Sequence, residues 1–245
     1  MFQPHFDADP SLPIPVLYEN DELVIVDKPS GFFVHPPEDK IHKVPRDLIV
    51  LFRLEEQLKI KLFPLHRLDV GTSGCLAFAK TSASAQKYSP QFFGDFWEKY
   101  YVTVCRGYFV DSHVCEIPLE LDSTGDLVPA ATEFKKIAQV ELPQAVGKKF
   151  SSARYSLLSA MPRTGRYHQI RRHLNRMSHP MIGDRYHGDS HHNRFFREKL
   201  GIPGLLLRAD RLNIGELKIQ APSNSRWDQI RELFGIDTSS PHLGQ

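Results

Sequence analysis

Leu65-His66-Arg67-Leu68-Asp69-Val70-Gly71-Thr72-Ser73-Gly74 is the stretch on which the reading of this chain turns. It sets one acid, Asp69, among basic and small hydroxyl residues, between a strand end and a turn bounded by glycines. An aspartate so placed can simply accept hydrogen bonds from the amides of its own turn. Arg67 stands two residues earlier, and on an extended segment residues i and i+2 project to the same side. Immediately downstream, Cys75 to Ala79 is a short apolar run that predicts a fully buried strand.

Working outward, Val16–Tyr18 and Leu23–Asp27 predict short strands joined at Glu19-Asn20-Asp21, with Lys28-Pro29-Ser30-Gly31 breaking the second. Asp47–Lys59 has a helical period, with Asp47 as candidate N-cap. Ser82 is the expected cap of a helix that ends before Pro90. Tyr101–Phe109 and Arg154–Ala160 predict strands, and His168–Met177 a helix stopped by Pro180. Leu205–Leu207 and Glu216–Ile219 read as late strands and Ser225–Phe234 as a closing helix. Residues 121–149 mix polar turns with strand pieces whose order the pattern does not give. Strands interrupted by a few helices, without βαβ alternation, point to an α+β protein with a largely antiparallel, mixed central sheet flanked by helices. Residues 1–15, with four prolines, read as a loosely draped arm, 16–236 as one domain and 237–245 as a tail.

Lysine and arginine number 31 against 29 acids, a net charge of +2, so global charge does not identify a nucleic-acid partner and its distribution matters more. From Arg163 to Arg176 there are five arginines (163, 166, 171, 172, 176) and no acid. Arg172 and Arg176 are four apart and share a helix face, where like charges repel unless an anion lies against them. No apolar run approaches the roughly 20 residues of a membrane helix. The N-terminus lacks the basic and apolar regions of a secretory signal, so the cytoplasm is the expected compartment. Cys75, Cys105 and Cys115 are too widely spaced for a zinc site or a disulfide framework and read as buried small hydrophobes. His187, Asp189, His191 and His192 invite a metal reading but lack the spacing of a zinc-enzyme helix, and no metal is expected. Phe92, Phe93, Phe96 and Trp97 read as core.

Four stretches in order resemble the motifs of the RluA family of pseudouridine synthases. They are Asp27-Lys28-Pro29-Ser30-Gly31 with Val34-His35, His66–Asp69 with Thr72-Ser73-Gly74, Lys99-Tyr100-Tyr101 leading to Arg106-Gly107, and Gly165-Arg166-Tyr167-His168-Gln169-Ile170-Arg171-Arg172-His173. The resemblance implies an isomerase that breaks the N-glycosidic bond of a uridine in RNA, turns the base and joins its C5 to the sugar. By it Asp69 is the catalytic aspartate, acting as nucleophile or base, and Arg171 is its salt-bridge partner. Tyr101 stacks on the base and is the candidate to take the C5 proton. Arg67 fills the gap left by the extruded base. Arg163, Arg166, His168, Arg172 and Arg176 are candidate RNA contacts, and Lys28 is either a phosphate contact or a turn residue. A neighbouring guanidinium suits a carboxylate that must stay ionised in a water-poor pocket. No cofactor is implied.

The run from Arg171-Arg172 through Ser178–Asp184 to His187-Gly188-Asp189 and Asn193-Arg194 is most similar to the branch that modifies a T-stem uridine of tRNA. Most other branches continue from the Gly-Asp into a Tyr-Gly turn. The expected partner is therefore tRNA, with a monomeric protein, no membrane and no obligate protein partner. Many family members carry an N-terminal S4 RNA-binding domain, for which the segment before Val16 has no room. Ribosomal RNA is the alternative substrate. A non-catalytic RNA-binding or folding protein, and a zinc hydrolase built on the histidines, are the readings from other classes.

Overall fold

The computed structural model describes residue 9 and residues 11–37, 44–93, 96–147 and 150–238. In chain order these hold β1 (Val16–Glu19), β2 (Leu23–Lys28), α1 (Val50–Leu58), β3 (Phe63–Pro64), β4 (Ser73–Ala79), α2 (Ser82–Tyr88) and β5 (Trp97–Arg106). Then follow β6 (Ser112–Cys115), β7 (Leu119–Glu120), β8 (Leu127–Val128), β9 (Thr132–Leu142), β10 (Ala153–Pro162) and α3 (Gln169–Arg176). The chain closes with α4 (Ser190–Lys199), β11 (Leu207–Ile214), β12 (Leu217–Gln220) and α5 (Ser225–Leu233). Two compact units divide them, one of residues 1–99 and 208–221, the other of 100–207 and 222–245, so that one boundary falls inside β5. The fold is the expected α+β class.

In the first unit β1, β2, β4 and β11 are neighbours in that order, with β3 on β4 and β12 on β11. β2 runs antiparallel to β4 from Leu23 opposite Ala79 to Lys28 opposite Gly74. The β4–β11 pair is parallel, Ser73 facing Arg208 and Gly74 facing Ala209. Every residue of β4 is buried, as its unbroken apolar run predicts. Gly74 is required twice over: its φ is +107°, and a Cβ there would stand 2.1 Å from the Ala209 carbonyl oxygen. Polar side chains hid β11 from the pattern: Arg208, Asp210 and Asn213 alternate with apolar residues, yet all are buried.

Residues 11–15 are not a loose arm. Ile14 is buried. The side-chain amide of Gln57 on α1 donates to the Ile14 carbonyl at 3.1 Å and accepts from the Ile14 amide at 3.0 Å. Arg53 donates to the Leu12 carbonyl. Proline removes ladder donors, but a side-chain amide supplies a substitute. The rest of the predicted arm (1–8 and 10) and the tail beyond 238 lie outside the described residues. Helix starts also differ from expectation. A 3₁₀ turn (Arg46–Leu48) contains Asp47, and α1 begins after Ile49 without a side-chain cap. Thr81, not Ser82, caps α2, its oxygen accepting from the Ser84 amide. Trp97 is core, whereas Phe96 is 44% exposed; the side chains of Phe92 and Phe93 lie outside the description.

In the second unit β5, β10, β9 and β6 are neighbours in that order, all antiparallel, beside the small β7–β8 pair. Val102, Val104, Tyr155, Leu157, Ile182, Phe196, Leu206, Trp227 and Ile230 form its core. α4 was not anticipated: its Ser-His-His-Asn-Arg start carries no apolar stripe, and Phe195 and Phe196 are its apolar contacts with that core. All three cysteines are buried free thiols, as expected. Burial pushes those of Cys75 and Cys105 up to about 12, so they are inert. Among the described residues no helix is long and apolar enough to cross a membrane.

Candidate active site

Asp69 sits half-buried on the loop between β3 and β4. Its own carbonyl accepts from the Thr72 amide at 3.0 Å, closing a turn. The next three carbonyls are satisfied from within the protein. The Asp27–Gly31 segment supplies the donors. Lys28 Nζ donates to Val70 O (3.2 Å) and Thr72 O (2.7 Å), Ser30 Oγ to Gly71 O (2.9 Å), and the Gly31 amide to Val70 O (2.7 Å). A third Lys28 bond, to Pro29 O at 2.9 Å, uses the ammonium's remaining proton.

This corrects the reading of Lys28 as an RNA contact. Its side chain has no exposure to solvent, and its three protons serve backbone carbonyls. It is a positioning residue for the Asp69 loop. Next to it, Asp27 pairs with Arg208 at 3.1 Å, joining the ends of β2 and β11 on either side of β4. Burial pushes the Asp27 carboxyl above the usual range, with Arg208 acting in opposition. Lys28→Met keeps the length of the side chain but strands the carbonyls of Pro29 and Thr72. At about 1–3 kcal/mol for each buried group left without a partner, stability should fall by about 2 kcal/mol or more. Urea unfolding of the two proteins measures it, and an unchanged midpoint would contradict the clamp.

His66 is locked by the Ala77 amide, which donates to its Nε2 at 3.0 Å. Nε2 must therefore be unprotonated. Burial, helped by the charge of Lys99, pulls its pKa down to about 3, so the ring is neutral at physiological pH. Lys99 is itself pulled down to about 8 by burial, an unusually low value for an ammonium. Arg67 is exposed.

In the second unit Tyr101 lies on β5 opposite Ala160 of β10, buried to 9% exposure. Arg171 is buried on α3 and grips Asp184 through two parallel bonds, Nε to Oδ2 and Nη2 to Oδ1, both 2.7 Å. The same Oδ1 accepts from the amides of Tyr186 (2.9 Å) and His187 (3.0 Å). Burial favours a neutral Asp184, but Arg171 and the two amides outweigh it and hold the carboxyl below its usual range. Asn193 of α4 fastens this turn, donating to Asp184 O and accepting from the Gly183 amide, both at 2.7 Å. Gly183 has φ +80°, and a Cβ there would meet Gly204 O at 1.7 Å. The Arg171–Asp184 pair occupies one edge of the guanidinium. Asp184 was missed as a functional residue. Its signal was the Gly183-Asp184 turn downstream of a helix with an inward arginine.

The remaining basic candidates are tethered to backbone. Arg172 Nη1 donates to Glu120 O (2.9 Å), Arg176 Nη1 to Pro118 O (2.5 Å), and Arg166 Nε to Pro129 O (3.2 Å). Carbonyl dipoles thus offset the repulsion of the Arg172–Arg176 pair, which does not by itself demand a phosphate. The acid missing from the local sequence arrives from β9, where Glu133 pairs with Arg163 at 2.7 Å. Arg163, Arg166 and Arg176 remain exposed, and Arg172 is half-buried. His168 is the residue before α3, with a left-handed φ of 52°. Of the histidine cluster, Asp189 caps α4 through the amides of His191 and His192, and His192 Nδ1 meets the Tyr155 hydroxyl at 2.8 Å.

A family model described as RNA pseudouridylate synthase matches residues 22–176. The tRNA pseudouridine synthase C of Vibrio cholerae serotype O1 is 37% identical over 240 residues, 91% of this chain and 97% of the relative. That of Haemophilus ducreyi is 36% identical over 235 residues, covering 90% and 95%. Among solved structures, human RNA pseudouridylate synthase domain containing 1 superposes with TM-score 0.68 at 20% identity, covering 97% of this chain and 92% of the other. Domain containing 4 gives 0.69 at 21%, covering 91% and 94%. At those identities the structural likeness speaks to fold alone.

Proposed function

The chain belongs to the RNA pseudouridylate synthase family, and from that premise we propose that it converts a T-stem uridine of tRNA to pseudouridine, acting as a monomer. The observation that carries the tRNA assignment is likeness over nine-tenths of the chain to relatives named tRNA pseudouridine synthase C. The chemistry is an isomerisation. The N1–C1′ bond breaks, the base turns, C5 bonds to C1′, C5 loses its proton and N1 gains one. Asp69 is the group that acts on the nucleoside, as nucleophile at the sugar or as base. A loop already held by Lys28, Ser30 and Gly31 lets it do so without reorganisation. Arg171, oriented by Asp184, keeps the catalytic carboxylate ionised. Tyr101 stacks on the turning base and, having given up its own hydroxyl proton, receives the C5 proton on its phenolate oxygen. Arg67 occupies the stem vacated by the uridine, and the exposed arginines 163, 166 and 176 with Arg172 hold the phosphates.

Mapping pseudouridine in unmodified tRNA and ribosomal RNA after incubation with the purified protein tests this. A new T-stem pseudouridine is expected. Product in ribosomal RNA alone would overturn the substrate assignment and keep the reaction, and product in neither would overturn both.

A further inference from the structure

Four rings of the second unit are unexplained by the reaction. Tyr167 and His168 stack with centroids 3.7 Å apart and planes inclined by 22°. Tyr186 lies beside them, tilted, 6.1 Å from His168 at 34°. His187 braces the stack edge-on, 5.3 Å from His168 at 81°, with His168 Nδ1 and His187 Nε2 at hydrogen-bond distance, 3.2 Å. Tyr186 is 80% exposed and Tyr167 56%, so these rings contribute little to a core.

Their orientation is built. His168 takes a left-handed backbone, uncommon for a residue with a Cβ, at the position where a helix normally has a capping side chain, and its side chain makes no cap. Strain of this kind persists where the surroundings enforce it, and here it turns the imidazole onto Tyr167. Tyr186 and His187 are fixed through their amides by Asp184, the carboxylate that holds Arg171. The Arg171 guanidinium carbon is 5.9 Å from the centre of the Tyr186 ring.

We propose that Tyr167, His168, Tyr186 and His187 form a stacking platform for a nucleobase that neighbours the reacting uridine. A base beside an extruded nucleotide loses a stacking partner, and a flat ring replaces it without reading its identity. The setting favours nucleic acid over an apolar peptide: Arg166 and Arg185, next to the rings in sequence, are exposed, and the two nearest acids, Asp184 and Asp189, are already paired with Arg171 and Arg106. This inference rests on the RNA substrate proposed above.

The test uses the full chain and a tRNA transcript with 2-aminopurine at either position beside the target uridine. Stacking on the platform is expected to quench its fluorescence when wild-type protein binds. Tyr186→Ala should lose the quench and weaken binding about tenfold, the order that one aromatic–base stack contributes. Tyr186→Phe, which keeps the ring, should restore both. Because Tyr186 is exposed, an unchanged thermal midpoint separates the effect from misfolding. His168→Asn, which tolerates the left-handed backbone, should also lose the quench. If wild-type protein makes pseudouridine but Tyr186→Ala binds and quenches like wild type, the platform is wrong and the proposed function stands. If wild-type protein neither binds nor modifies the transcript, the function itself fails and the platform with it.

Discussion

Asp69→Asn leaves the loop intact and stops the reaction: turnover is expected to fall by about 10⁴-fold or more, the order seen when a nucleophile or base is removed. Asparagine has nearly the same shape, and the carbonyls of residues 70–72 keep their donors. Affinity for tRNA and the thermal midpoint should therefore stay close to wild type. Single-turnover pseudouridine assays beside filter binding separate the two. Turnover within about tenfold of wild type would remove Asp69 from chemistry, since so small a change is the scale of a lost orienting contact.

Asp184→Asn should be the most damaging isosteric change in the second unit. Asparagine still accepts from the amides of Tyr186 and His187 but leaves the buried Arg171 charge without its carboxylate. Breaking one side of a buried pair typically costs about 3–5 kcal/mol. Activity should fall as well, because Arg171 then loses the carboxylate that orients it. The pH dependence has a definite sign. The folded pKa of Asp184 lies below its unfolded value, so its contribution is complete above the unfolded pKa and is lost as pH falls through the folded one. The stability gap between wild type and variant should accordingly be constant near neutrality and close on acidification below about pH 4. A gap that does not begin to shrink as pH falls below the unfolded pKa would place the damage elsewhere than in the charge.

Local signals carried much of the fold. The run Cys75–Ala79 gave a buried strand, and the spacing of Ile170 and Leu174 gave α3 with its inward face. Failures came where a polar group is satisfied by something distant in the chain. Lys28 looked like a turn lysine because nothing near it in sequence reveals that three carbonyls await it. Residues 11–15 looked unattached because their partner is a glutamine side chain 43 residues away from Ile14. α4 was obscured by histidines, although Asp189 before Ser190-His191-His192 is a capping signature that could have been read. The motif resemblance selected Asp69, Tyr101 and Arg171. The partner that orients Arg171 needed the geometry.

The Lys28 clamp makes two stretches of chain behave as one part. Lys28 and Thr72 stand 44 positions apart, yet the ammonium of the first completes the backbone of the second. A buried positive charge with three acceptors cannot be exchanged alone: a shorter or uncharged side chain strands carbonyls, and carbonyls moved without it strand the charge. Transplanting the Asp69 loop into another scaffold, or redesigning it here, therefore means moving residues 27–31 and 65–74 together.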